Sequence, residues 1–393
     1  MKLKKNAFGV ISRTVNQLSP IVDFFDNAKK YGHNVDHLII CYIDYVDTGT
    51  LKQLEKYCEV TLVKRGNAPF LQNSLKDLGL NEKEINTIIG TPYLKKYSKV
   101  AYGTCRNYVI LTAIFLGLDH LFFFDTDIFP KILTQFHDGE SKFEDIDFVG
   151  SHLTFLKEDG AVVTTSDYTG YYIIPKMNFP YMMELLQGIQ KEDRFYYISS
   201  VDTPVTRDRW LENIFNTNKV LGGNIVIDLN KLDMLPPFFS TTLVMNDECF
   251  LGRGEDTLFG PLIYYYGGHC VDIDLLIFHN CFGDFPNKPT ITIQKNLDRF
   301  YYACMGWIIR NPFFNWLRSE YYEEAETINK EKRLHALIKG SKAAAEYFSD
   351  KRFLNLPEAF EMAYNKLPKD IDLFYDLLDA WNKMKKLLKN KKE

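Results

Sequence analysis

The chain has 393 residues, 47 Lys plus Arg against 51 Asp plus Glu, a net charge of −4 and 46% apolar residues. At roughly 150 residues per domain the length allows two to three domains, and the apolar share excludes global disorder. The near-neutral charge argues against nucleic acid as a partner, because phosphate-backbone binding needs a large positive surplus. Aromatic residues make up 15%, with 24 Tyr and 30 Phe, enough to build cores and also to line sugar or base sites.

The basic start Met1-Lys2-Leu3-Lys4-Lys5 runs into Ala7–Ile11, a much shorter apolar stretch than a secretory signal uses. No segment reaches the roughly 18 apolar residues of a membrane-spanning helix. The seven cysteines (41, 58, 105, 249, 270, 281 and 304) are scattered and form no C-x-x-C, as expected of reduced core thiols in a cytoplasmic protein.

The first 130 residues alternate strand and helix. Phe8–Ser12 reads as a buried strand, followed by a helix opened by Ser19-Pro20 and stopped at Gly32. His37–Ile43 is a second strand, Thr50–Cys58 a short helix and Val60–Val63 a third strand. Gln72–Gly90 and Thr104–Gly117 have helical patterns, and Leu121–Phe124 is a fourth, continuously apolar strand. This βαβ order predicts an α/β fold with a mostly parallel, helix-flanked sheet, whose ligands bind beyond the carboxyl ends of the strands. Further on, Phe148–Leu153, Tyr171–Ile174, Asn224–Leu229 and Val271–Phe278 read as strands. Asn178–Gln190, Thr206–Asn216 and Asp256–Tyr266 read as helices. From about residue 291 charged and aromatic helical stretches take over, and Lys383–Glu393 carries six Lys.

The sharpest chemical feature is Asp125-Thr126-Asp127, directly after the Phe122–Phe124 run. Carboxylates are costly to desolvate, so a pair at the ligand-binding rim suggests hard oxygen ligands for Mg²⁺ or Mn²⁺ bridging a diphosphate; the plain alternative is a strand-end turn. Gly222-Gly223-Asn224 lets backbone approach a ligand closely, or simply turns the chain. Glu255-Asp256 opens a helix, where carboxylates either cap the N-terminus or serve as acid, base or hydroxyl-orienting groups. His279 ends a strand and could add an imidazole to a metal shell.

In this order, D-x-D, Gly-Gly, Glu-Asp and strand-terminal His, the chain resembles the GT-A glycosyltransferases over roughly residues 6–285, with spacing most like mannosylglycerate synthases and related mannosyltransferases. The resemblance implies hexose transfer from a UDP- or GDP-sugar to a hydroxyl of a glycan or small polar acceptor. It implies Mn²⁺ or Mg²⁺ on Asp125, Asp127 and His279, with Asp127 the more direct ligand, and catalytic roles for Asp256 and Glu255. The Gly222, Gly223 and Asn224 loop would lie between donor sugar and acceptor. Glu255-Asp256 suits an inverting base, while the spacing suits a retaining enzyme, so stereochemistry stays open.

On the donor side, Ser12, Arg13, Asp44, Arg65, Arg106, Asn107 and Thr126 stand at strand ends or at the start of the preceding helix, where guanidinium and hydroxyl groups can meet diphosphate or ribose. Tyr168, Tyr171, Tyr172, Phe238 and Phe239 are expected around the acceptor. Residues 1–290 are expected to form the catalytic domain, with a nucleotide half to about 130 and an acceptor half beyond, and 291–393 a helical extension. Trp307, Phe313, Phe314, Trp316 and the terminal lysines suggest peripheral contact with the inner membrane face. The rival readings are a nucleotidyltransferase or phosphatase using the same Asp pair, disfavoured by the lack of G-x-x-x-x-G-K-[ST], and a sugar- or nucleotide-binding module without catalysis.

Overall fold

The computed structural model describes residues 4–90, 101–137, 140–157, 160–200, 214–283, 285–321 and 329–391. The opening alternation is β1 (Asn6–Val15), α1 (Ile21–Lys30), β2 (His37–Val46), α2 (Thr48–Leu54) and β3 (Glu59–Lys64). Next come α3 (Pro69–Leu78), α4 (Glu82–Ile88), α5 (Tyr102–Phe115) and β4 (His120–Phe124). The single helix expected over 72–90 is two, because Gly79 adopts φ +105° and Asn81 starts α4 with a reciprocal capping box to Glu84.

The middle comprises β5 (Ile128–His137), β6 (Glu140–Asp145), α6 (Phe148–Phe155), β7 (Ala161–Thr165), β8 (Tyr168–Thr169), α7 (Met182–Gly188), α8 (Phe195–Ser200), β9 (Phe215–Thr217) and β10 (Asn224–Asp228). Then follow β11 (Thr242–Met245), β12 (Glu248–Leu251), α9 (Glu255–Tyr265), β13 (His269–Asp272) and β14 (Ile277–His279). Three helices close the chain: α10 (Gln294–Tyr321), α11 (Lys330–Phe348) and α12 (Leu356–Asn390).

Several expectations change. Residues 148–153 are helical, because the Asp147 side chain accepts the Gly150 N–H and caps α6. Tyr171–Ile174 is not a strand. The run 271–278 divides between β13 and β14, which belong to different sheets, where Asp272 accepts the Asp274 N–H in a turn with Asp274 at φ +59°. Most of the helix expected over 206–216 lies outside the described residues, and its end is strand β9.

The main sheet has the order β3-β2-β1-β4-β10-β7-β13-β9. Pairings β3–β2, β2–β1, β1–β4 and β7–β13 are parallel, whereas β10 runs antiparallel between β4 and β7. The fold is thus the mixed, largely parallel α/β sheet that the sequence predicts. Alternate residues of β4 enter opposite layers: Phe122 and Phe124 pack with Phe8 and Phe24, while Leu121 and Phe123 pack with Val109. Both faces of the strand are therefore buried, which accounts for its unbroken apolar run. A second sheet, β6-β5-β14-β8, stands beyond the end of β4.

The closing helices share this core. Trp381 of α12 is fully buried, clusters with Val109, Leu121 and Phe123, and donates its indole N–H to Leu235 O at 2.9 Å. Trp307 and Phe313 are buried as well, and Phe314 and Trp316 are half-buried against the core. Lys383 reaches Glu84, Lys389 reaches Asp233 and Lys385 reaches the Asp233 carbonyl, so these terminal lysines tie down α12. Among the described residues no helix is long and apolar enough to cross a membrane. Trp381→Ala should lower the unfolding free energy by about 3–5 kcal/mol in urea titration. A loss under ~1 kcal/mol would show that α12 only rests on the surface.

Candidate active site

Two register relations assemble the site. On the main sheet, Asn224 of β10 pairs with Phe124 of β4, so the preceding Gly222-Gly223 lies across from Asp125. On the second sheet, His279 of β14 pairs with Ile128 of β5, the residue after Asp127. His279 Nε2 is 3.3 Å from Asp127 Oδ2, and the Asn280 N–H donates to Asp127 O at 2.8 Å. β8 lies parallel to β14 and brings the Tyr168 ring 4.9 Å from the imidazole. The Gly223 N–H donates to Tyr168 Oη at 3.1 Å.

Arg106, near the start of α5, joins the two halves. Its Nε donates to Glu255 Oε1 at 2.8 Å, its Nη1 donates to Gly222 O at 2.8 Å, and its Nη2 is 4.0 Å from Asp125 Oδ1. The guanidinium carbon lies 5.3 Å from the Phe123 ring centre and 5.6 Å from that of Phe238. Burial opposes the charge, but Glu255, Asp125 and Asp256 outweigh it and hold Arg106 above its ordinary pKa. A Cβ at Gly222 would fall 2.2 Å from Arg106 Nη2, and one at Gly223 2.6 Å from Asp125 Oδ2. A side chain at either position would displace the guanidinium or the carboxylate, so glycine here permits their close approach.

The carboxylates differ. Desolvation, helped by Asp127 and Asp256 and opposed by Arg106, raises the pKa of Asp125. Desolvation would raise Asp127 too, but the hydrogen bond and charge of His279 and the charge of Arg299 win, and its pKa falls. Arg299 of α10 stands 3.6 Å from Asp127 Oδ2. Asp256 Oδ2 accepts the Gly222 N–H at 2.7 Å, and its Oδ1 accepts the Thr257 N–H at 2.8 Å. Burial, reinforced by Asp125 and Asp256, pushes the Tyr168 hydroxyl well up, so it stays protonated.

Some candidates change role. Glu255 is buried against Arg106 and positions that guanidinium instead of facing a substrate. Asn107 is buried and pairs with Phe238 at both ends, its Nδ2 donating to the carbonyl and its Oδ1 accepting the N–H. These two bonds hold its amide against the core segment at Phe238. The Asn224 side chain is also fully buried, donating to the carbonyls of Ser166, Asp167 and Leu275. Phe238 and Phe239 are core residues, not pocket walls. Ser12 donates to Thr14 O at a break in the β1 register. Arg13 and Asp44 meet at 2.8 Å in an exposed pair beside it. Arg65 follows β3, and among the described residues its buried Nε has no hydrogen-bond partner. Thr126 is exposed between the two Asp. Tyr171 donates to Pro286 O.

Arg299 and His152 went unmarked in the sequence. His152 of α6 holds Asn224 from below: Nε2 is 3.1 Å from Asn224 Oδ1, and Nδ1 is 2.8 Å from Thr164 Oγ1. No local motif marks either, because each meets its partner at the site, Asn224 or Asp127, across more than 70 residues. Among the described residues no three His, Cys, Asp or Glu side chains are gathered closely enough to hold a metal as they stand. Asp127 and His279 fit as a donor pair, while Asp125 leans toward Arg106.

The sequence matches no protein-family model and no curated protein. Solved structures with a similar chain course include glucosyl-3-phosphoglycerate synthase from Mycobacterium tuberculosis in complex with phosphoglyceric acid. It is 13% identical, with 80% of each chain covered and a TM-score of 0.37. The same enzyme with Mn²⁺, UDP and phosphoglyceric acid is 14% identical, with 77% of this chain and 76% of that chain covered and a TM-score of 0.38. At such scores neither match assigns an activity to this chain.

Removing Arg106 leaves Glu255 buried without a partner. Arg106→Met should cost about 3–5 kcal/mol in urea unfolding, and Arg106→Met with Glu255→Gln clearly less. Equal losses would show that the pair is not coupled. Burial pushes the His152 imidazole down to about 3 from 6.5. Its neutral form thus stabilises the fold fully above pH 6.5, and that contribution is lost as the pH falls toward 3. Histidine ¹⁵N NMR at pH 5 should show this ring neutral; a protonated His152 in the folded protein would overturn the assignment.

Proposed function

We propose that the chain is a GT-A-type glycosyltransferase that moves a hexose from a UDP- or GDP-sugar to a hydroxyl acceptor, with Mn²⁺ or Mg²⁺ as cofactor. The observation that carries this reading is the convergence of four distant segments. Asp125 and Asp127 after β4, the Gly222-Gly223 turn, Asp256 at the start of α9 and His279 are tied together through Arg106, Tyr168 and Arg299. A structural turn at β4 has no use for this set.

Asp127 and His279 would hold the metal, with Asp125 as a further oxygen donor. A set of carboxylate oxygen and imidazole nitrogen favours Mn²⁺ over Mg²⁺. Such an ion neutralises charge on a leaving diphosphate. Arg299, beside Asp127, would share that anion. Ser12, Arg13, Asp44 and Arg65, at the carboxyl ends of β1 to β3, would meet the nucleoside, where ligands of open α/β sheets bind.

Arg106 holds the Gly222 carbonyl and Asp256 holds the Gly222 N–H, so the turn is fixed from both sides. A rigid turn of bare backbone can lie against the sugar without a side chain intervening. Asp256 keeps free lone pairs on both oxygens, enough to accept a hydrogen bond from an acceptor hydroxyl and orient it toward the anomeric carbon. Tyr168, protonated at neutral pH, offers a neutral donor on the opposite flank.

Incubation with UDP- and GDP-sugars plus Mn²⁺ should release nucleotide from one donor class. Chelation or Asp127→Asn should cut that release by about 100-fold or more. Full activity of Asp127→Asn under chelation would sink the mechanism. Asp256→Asn should lower kcat while leaving the donor KM within about threefold, because Asp256 serves the acceptor and the turn.

A further inference from the structure

Next to the carboxylates lies a group of cations that neither the fold nor the donor site uses. Arg253 stands between β12 and α9, two residues before Glu255. Arg310 and Trp307 lie on α10, and Lys191 and Arg194 follow α7. Lys191 Nζ is 5.1 Å and Arg253 Cζ 5.9 Å from the Trp307 ring centre, on one shared platform. Arg310 is only 5% exposed, and its Nη1 lies 2.8 Å from where a Cβ at Gly254 would stand, just before Glu255-Asp256.

Burial leaves these groups only partly compensated: Asp256 and Glu255 act on Arg310 and Arg253 through space, and Asp193 on Lys191, without reaching ion-pair distance among the described residues. Among the described residues Arg310 Nε is buried without a hydrogen-bond partner, Nη2 donates to the neutral Asn311 amide, and the guanidinium carbon lies 4.7 Å from the Phe314 ring centre. Among the described residues no carboxylate forms an ion pair with Lys191, Arg253 or Arg310. The nearby acids are engaged elsewhere: Glu192 with Arg333 at 3.0 Å, Glu255 with Arg106, and Asp256 with the Gly222 N–H. Arg194 pairs with the exposed Asp193 at 3.2 Å, and its guanidinium carbon lies 5.7 Å from the Tyr172 ring centre. Burial, then the nearby Arg310, holds Lys191 down to about 8, and burial followed by Arg299 lowers Arg253. Converging, desolvated, unpaired cations destabilise a fold unless an anion joins them. A core built for packing would place apolar residues here.

We infer that Lys191, Arg253 and Arg310, with the more exposed Arg194, form an anion subsite beside Asp256, and that the hydroxyl acceptor carries a phosphate or carboxylate group that docks there. Fork-shaped guanidinium groups suit the planar or tetrahedral oxygens of such an anion, and the ammonium adds a point charge. Bound in this way, the acceptor would present its hydroxyl to Asp256 with one end already fixed. The acceptor assignment rests on the transferase reading, but the subsite does not.

Isothermal titration of the full chain with inorganic phosphate, and separately with acetate, in the presence of a chelator tests the subsite. Saturable binding of at least one probe is expected, and the tighter probe identifies the acceptor's anion. Lys191→Gln should weaken binding about tenfold and Arg310→Gln at least as much, whereas Asp127→Asn should leave it unchanged. Lys191 is partly exposed, so its variant keeps the test valid if Arg310→Gln does not fold. No saturable binding of either probe, or binding unaffected by Lys191→Gln, would overturn the subsite. Displacement of phosphate by UDP or GDP would assign the cations to the donor and overturn the acceptor assignment. Donor turnover without probe binding would remove the subsite and leave the transferase; probe binding without turnover of any donor would do the reverse.

Discussion

The site depends on one buried guanidinium. Arg106 sits below the rim of the sheet with 7% side-chain exposure, and a charge so placed must be matched on all sides. Glu255 answers it from α9, the Gly222 carbonyl from the turn before β10, and Asp125 from the end of β4. Three chain segments thus meet because one cation leaves them little alternative. Gly222 and Gly223 follow from the same contact, since a β-carbon at either would strike the guanidinium or the carboxylate it attracts. Glu255 and Asp256, adjacent in sequence, therefore divide the work. The first neutralises Arg106, and the second stays at the surface of the crevice holding the turn.

The small sheet completes the arrangement by register. β5 begins one residue after Asp127, and β14 runs antiparallel to it with His279 opposite Ile128. Backbone pairing fixes the imidazole beside the carboxylate even before the side chains interact. A slip of one residue would turn His279 to the other face. The same pairing brings in β8 and Tyr168, which bonds back to Gly223 on the main sheet. The two sheets are thus cross-linked at the chemistry itself.

Much of the first half was legible because βαβ units are local. Each strand of β1 to β4 carries an apolar run, α2 and α4 are capped by Asp47 and Asn81, and the Asp pair falls at a strand end where open sheets bind ligands. Long-range antiparallel pairing was less so. That β10 inserts between β4 and β7 cannot be seen in its apolar run, yet this insertion puts the glycines beside Asp125. Phe148–Leu153 is apolar enough for a strand, and only the Asp147 cap turns it into a helix. Asn107 and Asn224 stand beside functional residues in sequence but are spent on backbone groups. Their side chains point into the protein, which neighbouring positions in a motif do not reveal. Arg299 and Arg310 were hidden for the opposite reason: an arginine in a long helix reads as solvated surface until the helix packs against the site.

That packing explains where the positive charge has gone. A chain with net charge −4 and 47 basic residues need not display a basic face to bind an anion. It can hold a few cations at one place and neutralise the rest along the surface, as Lys383 and Lys389 do for α12. α10 performs the first task. Its residues reach Asp127 through Arg299 and the approach to Asp256 through Arg310, while Trp307 gives Lys191 and Arg253 a common surface. The aromatic excess serves the same end, because Phe123, Phe238 and Trp307 lie against cations that would otherwise be stripped of water without compensation. The closing helices are thus structural supports whose first member also furnishes the charges that the α/β sheet alone lacks.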